Sequence, residues 1–232
     1  MDKTPTGSKI LDRMLEGGYE TDTLTTIYGP AGSGKTNLCL LAGTIVARKK
    51  KKVIYIDTEG SFSIERLKQI APDYKELLNH WVLLKPSTFH EQQRVFEKLN
   101  THLSDNVGLI IVDTIAMLYR LELGKSEDIY EINRELGRQI AYLSGITRKK
   151  GIPVLLANQV YADMENRERV KIVGGDILKY GSKCLIELQI TRNGNRRAIL
   201  RKHRSIQEEK QITFKIVEGG IIGTKEANGF RR

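Results

Sequence analysis

Gly29-Pro30-Ala31-Gly32-Ser33-Gly34-Lys35-Thr36 lies between an apolar run, Leu24-Thr25-Thr26-Ile27-Tyr28, and an amphipathic segment carrying Leu38, Leu41, Ala42, Ile45 and Val46. Strand, tight loop and helix in that order are what a phosphate-cradling loop requires. The glycines let backbone N–H groups turn inward and approach a phosphate closely. The helix that starts where the loop ends adds its positive dipole terminus. Lys35 supplies a point charge for the β- and γ-phosphates, and Thr36 a hydroxyl for Mg²⁺. All eight residues are expected to contact a nucleoside triphosphate, with ATP and Mg²⁺ as the expected ligands.

Three further segments lead to the same rim. Val53-Ile54-Tyr55-Ile56 is a continuous apolar run, as in a strand buried on both faces, and it ends in Asp57-Thr58-Glu59-Gly60. Leu109-Ile110-Ile111-Val112 ends in Asp113, which would hold Mg²⁺ through water opposite Thr36. Residues 153–158 form another apolar run, ending in Asn158-Gln159. Ligands bind outside the carboxyl ends of parallel strands, so these four segments converge. No Glu follows Asp113 directly. Glu59 is the candidate for polarising the attacking water, or else a cap for the helix after Phe62. Gln159 cannot act as a base. Its amide suits a γ-phosphate contact that reports to residues 161–173, or else a bond to nearby backbone.

The remaining sequence bounds the fold and the partners. The 232 residues suffice for one α/β domain: a short segment 1–22, a core 23–223 and a frayed tail 224–232. Strand and helix alternate at first, and hairpins follow, one with its turn at Asn193-Gly194. This gives a mainly parallel sheet flanked by helices, with an antiparallel C-terminal extension. Residues 129–150 read as a long helix, and residues 115–127 as a loop. Residues 161–173 have no usable apolar period and read as a second loop. Cys39 and Cys184 read as reduced core thiols of a cytoplasmic protein, and no apolar run is long enough to span a membrane. The net charge of +10 points to a polyanionic partner. Arg167, Arg169 and Lys171 are the leading nucleic-acid candidates. Arg197 and Arg201, on one face of a hairpin strand, contact phosphate or else protect a sheet edge. The run from Arg48 to Lys52 reads as a solvated helix end, or as a DNA patch.

DTEGSF with Glu59, LIIVDT with Asp113, LYR with Arg120, ANQV with Gln159, the charged segment after it and GGD together resemble the ATPase core of RecA/RadA-type recombinases. The resemblance covers roughly residues 4–223. It implies a RecA-like fold, ATP binding, and DNA contact through the loops after Asp113 and Gln159, including Arg120. By position, Arg66 matches the family arginine that packs on adenine. The N-terminal helical domain and Phe-x-x-Ala linker of full recombinases are absent from this sequence. Where the family caps a neighbour's ATP with an acidic residue, Lys202-His203-Arg204-Ser205 is basic. This core-only pattern is most similar to the archaeal RadB group. The group implies a repair accessory that binds single-stranded or branched DNA and hydrolyses ATP weakly, as a monomer or small oligomer. Its implied protein partners are a RadA-type recombinase and a Holliday-junction resolvase. A filament-forming strand-exchange enzyme and a KaiC-like regulatory ATPase are the alternatives.

Overall fold

The structure, a computed structural model, describes residues 2–125, 128–162 and 170–224. The chain opens with β1 (Lys3–Thr4), α1 (Lys9–Met14) and β2 (Tyr19–Glu20), then β3 (Leu24–Tyr28) and α2 (Lys35–Arg48). Next come β4 (Lys52–Asp57), α3 (Ile64–Ile70), α4 (Tyr74–Leu78) and β5 (Trp81–Leu84). α5 (Phe89–Glu97), α6 (Leu99–His102), β6 (Val107–Asp113), α7 (Met117–Leu123) and α8 (Ile129–Lys150) follow. After β7 (Val154–Asn158) come β8 (Val160–Ala162), β9 (Val170–Ile172) and α9 (Gly175–Gly181). β10 (Cys184–Ile190), β11 (Arg196–Lys202), β12 (Gln211–Val217) and β13 (Gly220–Gly223) complete the chain.

Nine strands form one sheet in the order β13-β12-β11-β10-β3-β7-β6-β4-β5. The six strands from β10 to β5 are parallel, and β11, β12 and β13 extend the sheet antiparallel. The central strands β3, β6 and β7 are buried on both faces because helices cover both. One core holds Leu38, Leu41, Val53, Tyr55 and Ile111 beneath α1, α2 and α3. The other holds Ile110, Val112, Leu136, Ile140 and Leu178 beneath α5, α7, α8 and α9. Leu11, Met14, Leu15 and Tyr19 of the opening segment belong to the first core.

Two local expectations change. The sequence reads residues 115–127 as a loop, yet 117–123 are helical. Leu118 and Tyr119 are buried in the second core, and the Tyr119 hydroxyl donates to Asn133 at 2.6 Å, so tertiary packing stabilises the turn. The second expected loop, 161–173, is bounded by a strand pair, β8 with β9, that sets Tyr161 opposite Lys171. Among the described residues, no helix is long and apolar enough to cross a membrane, and no group of His, Cys, Asp and Glu has metal-binding spacing. Both cysteines are buried and unpaired.

Candidate nucleotide site

The loop after β3 is shaped by its neighbours. A Cβ on Gly29 would stand 2.4 Å from the Leu188 carbonyl oxygen of β10, so only glycine fits. Gly34 has φ +103° at the N-cap of α2, a left-handed conformation that glycine adopts without strain. Gly32 has φ +73° and a carbonyl that accepts two bonds from the Arg196 guanidinium, at 3.1 and 3.3 Å. Inside the loop, Lys35 Nζ donates to the carbonyls of Gly29 (2.9 Å) and Pro30 (3.0 Å). Burial lowers the Lys35 pKa, opposed by the carboxylates of Asp113 and Glu59. The ammonium is therefore held beside two acidic groups in a partly desolvated pocket, where its charge is strong.

Asp113 ends β6 and is 1 % exposed. Its Oδ2 accepts from the hydroxyls of Thr36 (2.7 Å), Tyr55 (2.7 Å) and Ser61 (3.1 Å). Its Oδ1 is buried with no hydrogen-bond partner among the described residues. Burial raises the Asp113 pKa, and the three hydroxyls work against that. A carboxylate with one oxygen saturated and the other open, beside a threonine hydroxyl at a helix start, fits a hydrated Mg²⁺.

The other strand ends close on the same place. Asp57 braces the turn after β4: its Oδ1 accepts from Ser61 N (2.9 Å) and its Oδ2 from Phe62 N (3.2 Å). The Glu59 carboxylate accepts from Thr114 Oγ1 (2.8 Å) and from Gln159 Nε2 (2.6 Å). The two residues proposed for water and γ-phosphate thus touch across β4, β6 and β7. The second loop is tied to them. Val173 N donates to the Gln159 carbonyl (3.2 Å), and Asn158 Nδ2 donates to the Val173 carbonyl (2.7 Å).

Outside this cluster the placements are mixed. Arg66 bridges α3 to the β12–β13 turn, with Nε on Asn37 Oδ1 (2.8 Å) and a terminal nitrogen on the Val217 carbonyl (2.7 Å). Its guanidinium is thereby fixed between Asn37, in the first turn of α2, and the backbone carbonyls of the β12–β13 turn. Arg120 lies exposed on α7, and Lys171 exposed on β9. Arg167 and Arg169 lie outside the described residues. Arg197 lines a shallow groove with Arg192, Gln189 and Thr213. Arg201 is engaged within the fold, by Glu187 (2.7 Å) and Glu209 (2.6 Å). Nothing in the sequence assigns Tyr55, Ser61 or Asp57 to this site, or sets the hairpin cation Arg196 against the loop. The one clue to Tyr55 was a hydroxyl in an otherwise apolar strand.

The family model described as Rad51 matches residues 2–224. The chain belongs to the Rad51 family. Within that family it is 44 % identical, over 95 % of each chain, to "DNA repair and recombination protein RadB" of Methanobrevibacter smithii. It is 41 % identical to the protein of the same name from Methanocaldococcus jannaschii, over 91 % of this chain and 98 % of that one. The solved structure titled "Crystal structure of the RadB recombinase" superposes with a TM-score of 0.82 at 39 % identity, covering 96 % of this chain and all of the other. The fold is thus RecA-like, a mixed and mostly parallel sheet with an antiparallel C-terminal extension, as the motifs implied.

Proposed function

We propose that this Rad51-family chain is an ATP- and DNA-binding recombinase paralogue that assists homologous recombination and DNA repair and turns ATP over slowly. The observation that carries this reading is the contact between Glu59 and Gln159, joined through Val173 to the base of the second loop. A γ-phosphate in the cradle competes with Glu59 for the Gln159 amide. Gln159 then turns toward the phosphate, and Glu59 becomes free to hold a water for attack. The same turn shifts the strand pair β8–β9, so nucleotide state biases DNA affinity.

Thr36 and Asp113 would hold Mg²⁺, which would neutralise phosphate charge there. Lys35 moves from the Gly29 and Pro30 carbonyls to the phosphates, and backbone N–H groups of residues 31–36 complete the cradle. Arg66 offers its flat guanidinium to the base. Arg120, Arg167, Arg169 and Lys171 meet the DNA backbone, single-stranded or branched. A RadA-type recombinase and a Holliday-junction resolvase are the protein partners that suit this role, in the cytoplasm, with this chain acting as a monomer or small oligomer.

The test is ATP turnover with and without single-stranded DNA, beside gel filtration at several concentrations. Slow turnover that rises with DNA, from a species of one or a few copies, is expected. Turnover indifferent to DNA, with no DNA bound in any nucleotide state, would overturn the proposal. Long regular filaments on DNA in electron micrographs would favour a strand-exchange enzyme instead.

A further inference from the structure

The rim just described is the carboxyl edge of the sheet. The amino edge carries a different kind of charge. α2 ends at Arg48, and Lys49, Lys50, Lys51 and Lys52 lead into β4. α8 ends in Arg148, Lys149 and Lys150, just before β7. In sequence these runs are about a hundred residues apart. In the fold, β4 and β7 are separated only by β6, so their starts lie roughly 10 Å apart. α2 and α8 pack on opposite faces, and both deliver their C-termini to this edge.

All seven residues from Lys49 to Lys52 and from Arg148 to Lys150 are exposed, and among the described residues none of them forms an ion pair. Arg48, next in line, is paired with Asp73 at 2.7 Å. Asp105 is the acidic residue in the adjoining turn, next to Asn106, whose carbonyl accepts from Lys52 N. Helix dipoles favour cations only within the last turn. That accounts for Arg148, Lys149 and Lys150, but not for Lys51 and Lys52, which lie beyond α2. Like charges this close repel within a Debye length of about 8 Å, and ordinary solvated surfaces intersperse both signs. These seven cations exceed half the net charge of +10.

We propose that this amino edge is a second nucleic-acid surface, which grips the phosphate backbone of a duplex independently of nucleotide. The proposal rests on the DNA-binding reading above and adds a contact on the far side of the sheet from the nucleotide. A protein with one such surface at each edge holds two nucleic-acid segments at once, one under nucleotide control and one not. Two lysine runs with no interleaved aromatic residue suit phosphates rather than bases, so recognition is sequence-tolerant.

The experiment is fluorescence anisotropy with a labelled 30-base-pair duplex, without nucleotide and with ATP and Mg²⁺, across a potassium chloride series. The variant replaces Lys49, Lys51, Lys149 and Lys150 by Gln. Nucleotide-free binding should weaken at least ~10-fold at low salt, and the slope of log affinity against log salt should flatten by about 3. The same four positions changed to Arg should bind as the wild type does. Unchanged affinity and slope in the Gln variant, with the wild type binding, overturns this surface and leaves the ATP-linked DNA reading standing. A wild type that binds no DNA in either state overturns that reading itself. Loss of binding to labelled polyglutamate with DNA binding intact overturns the nucleic-acid assignment in favour of an acidic protein.

Discussion

At the carboxyl edge of the sheet, most polar groups meet a partner from a distant part of the chain. Thr36, Tyr55 and Ser61 meet on Asp113, and Thr114 and Gln159 on Glu59. At the amino edge, Lys49 to Lys52 and Arg148 to Lys150 are exposed and, among the described residues, form no ion pair. The first edge is organised before its ligand arrives, which limits the ordering cost on binding. The second holds charge without geometry, which suits a polyanion whose phosphates can be met in many registers. Shape selectivity belongs to one edge and salt-dependent grip to the other.

The sharpest way to break this contrast is Lys35→Ala. It removes the cation that sits beside the Gly29 and Pro30 carbonyls and the carboxylates of Asp113 and Glu59, and leaves the backbone N–H groups to meet the phosphates alone. Nucleotide affinity should fall on the order of 100-fold or more in a calorimetric titration, consistent with loss of a charge-assisted bond in a partly buried site. Binding to duplex DNA without nucleotide should hold. Equal ATP affinity in the variant would remove the phosphate-site argument, and a parallel loss of nucleotide-free DNA binding would merge the two edges into one.

The next effect concerns the second loop. Changing Arg167, Arg169 and Lys171 together to Gln should weaken DNA binding with ATP and Mg²⁺ present, and flatten that salt slope by about 2 to 3. Nucleotide-free binding should change little. If the ATP-dependent slope stays put, the contact lies elsewhere, with Arg192 and Arg197 in the groove of the β10–β11 hairpin next in line.

How much of this was legible in sequence follows the same division. Gly29 to Thr36, Glu59, Asp113 and Gln159 could be placed because each sits at the end of an apolar run, and parallel topology fixes where such ends go. The hairpin cations were harder to judge. Arg201 reads as a free charge until β10 and the turn before β12 bring Glu187 and Glu209 against it. Arg204 likewise meets Glu20 at 2.8 Å, and Lys202 donates to the carbonyls of Lys179 and Ser182. Glu187, Glu209 and Glu20 stand 14, 8 and 184 residues from the arginines they meet, outside any local charge pattern, so the pairing is not legible in the sequence. The amino edge shows the converse, since two ordinary lysine runs become one surface only when β4, β6 and β7 are set side by side. Helix α7 is not legible in the sequence because its support comes from Phe89 and Asn133, on other elements.

A smaller effect sharpens the metal half of the rim. Tyr55 is fully buried, and its hydroxyl supplies one of the three bonds that occupy Asp113 Oδ2. Tyr55→Phe keeps the ring contacts with Phe62 and Trp81 and removes only that bond, worth about 1 kcal/mol. Asp113 is then less firmly turned, with Oδ1 no longer the one open oxygen. ATP affinity should drop several-fold with Mg²⁺ and remain unchanged in a chelator. An equal drop in both conditions would mean that Tyr55 merely supports the core.

The smallest effect separates paired from unpaired cations within the amino edge itself. His203 lies just beyond β11, on the same edge as the lysine runs, and it is buried. Its Nδ1 accepts from the backbone N–H groups of Ser205 and Ile206, each at 3.2 Å. A proton on that nitrogen would face two donors. Burial lowers the imidazole pKa, and Glu20 and Glu16 oppose that while Lys3 and Arg204 reinforce it. The folded value therefore lies below the ordinary value of about 6.5, and the unfolded chain binds the proton first as pH falls. The stability that neutral His203 contributes is complete above about pH 6.5 and is lost as pH drops toward the folded value. Between pH 7.5 and 5.5, His203→Gln should flatten the decline of Tm by on the order of 2 °C. The solvated lysines of the same edge should leave that profile untouched. A wild-type Tm that rises as pH falls through this window would mean that the ring folds charged against Glu20, a second held cation beside Arg204.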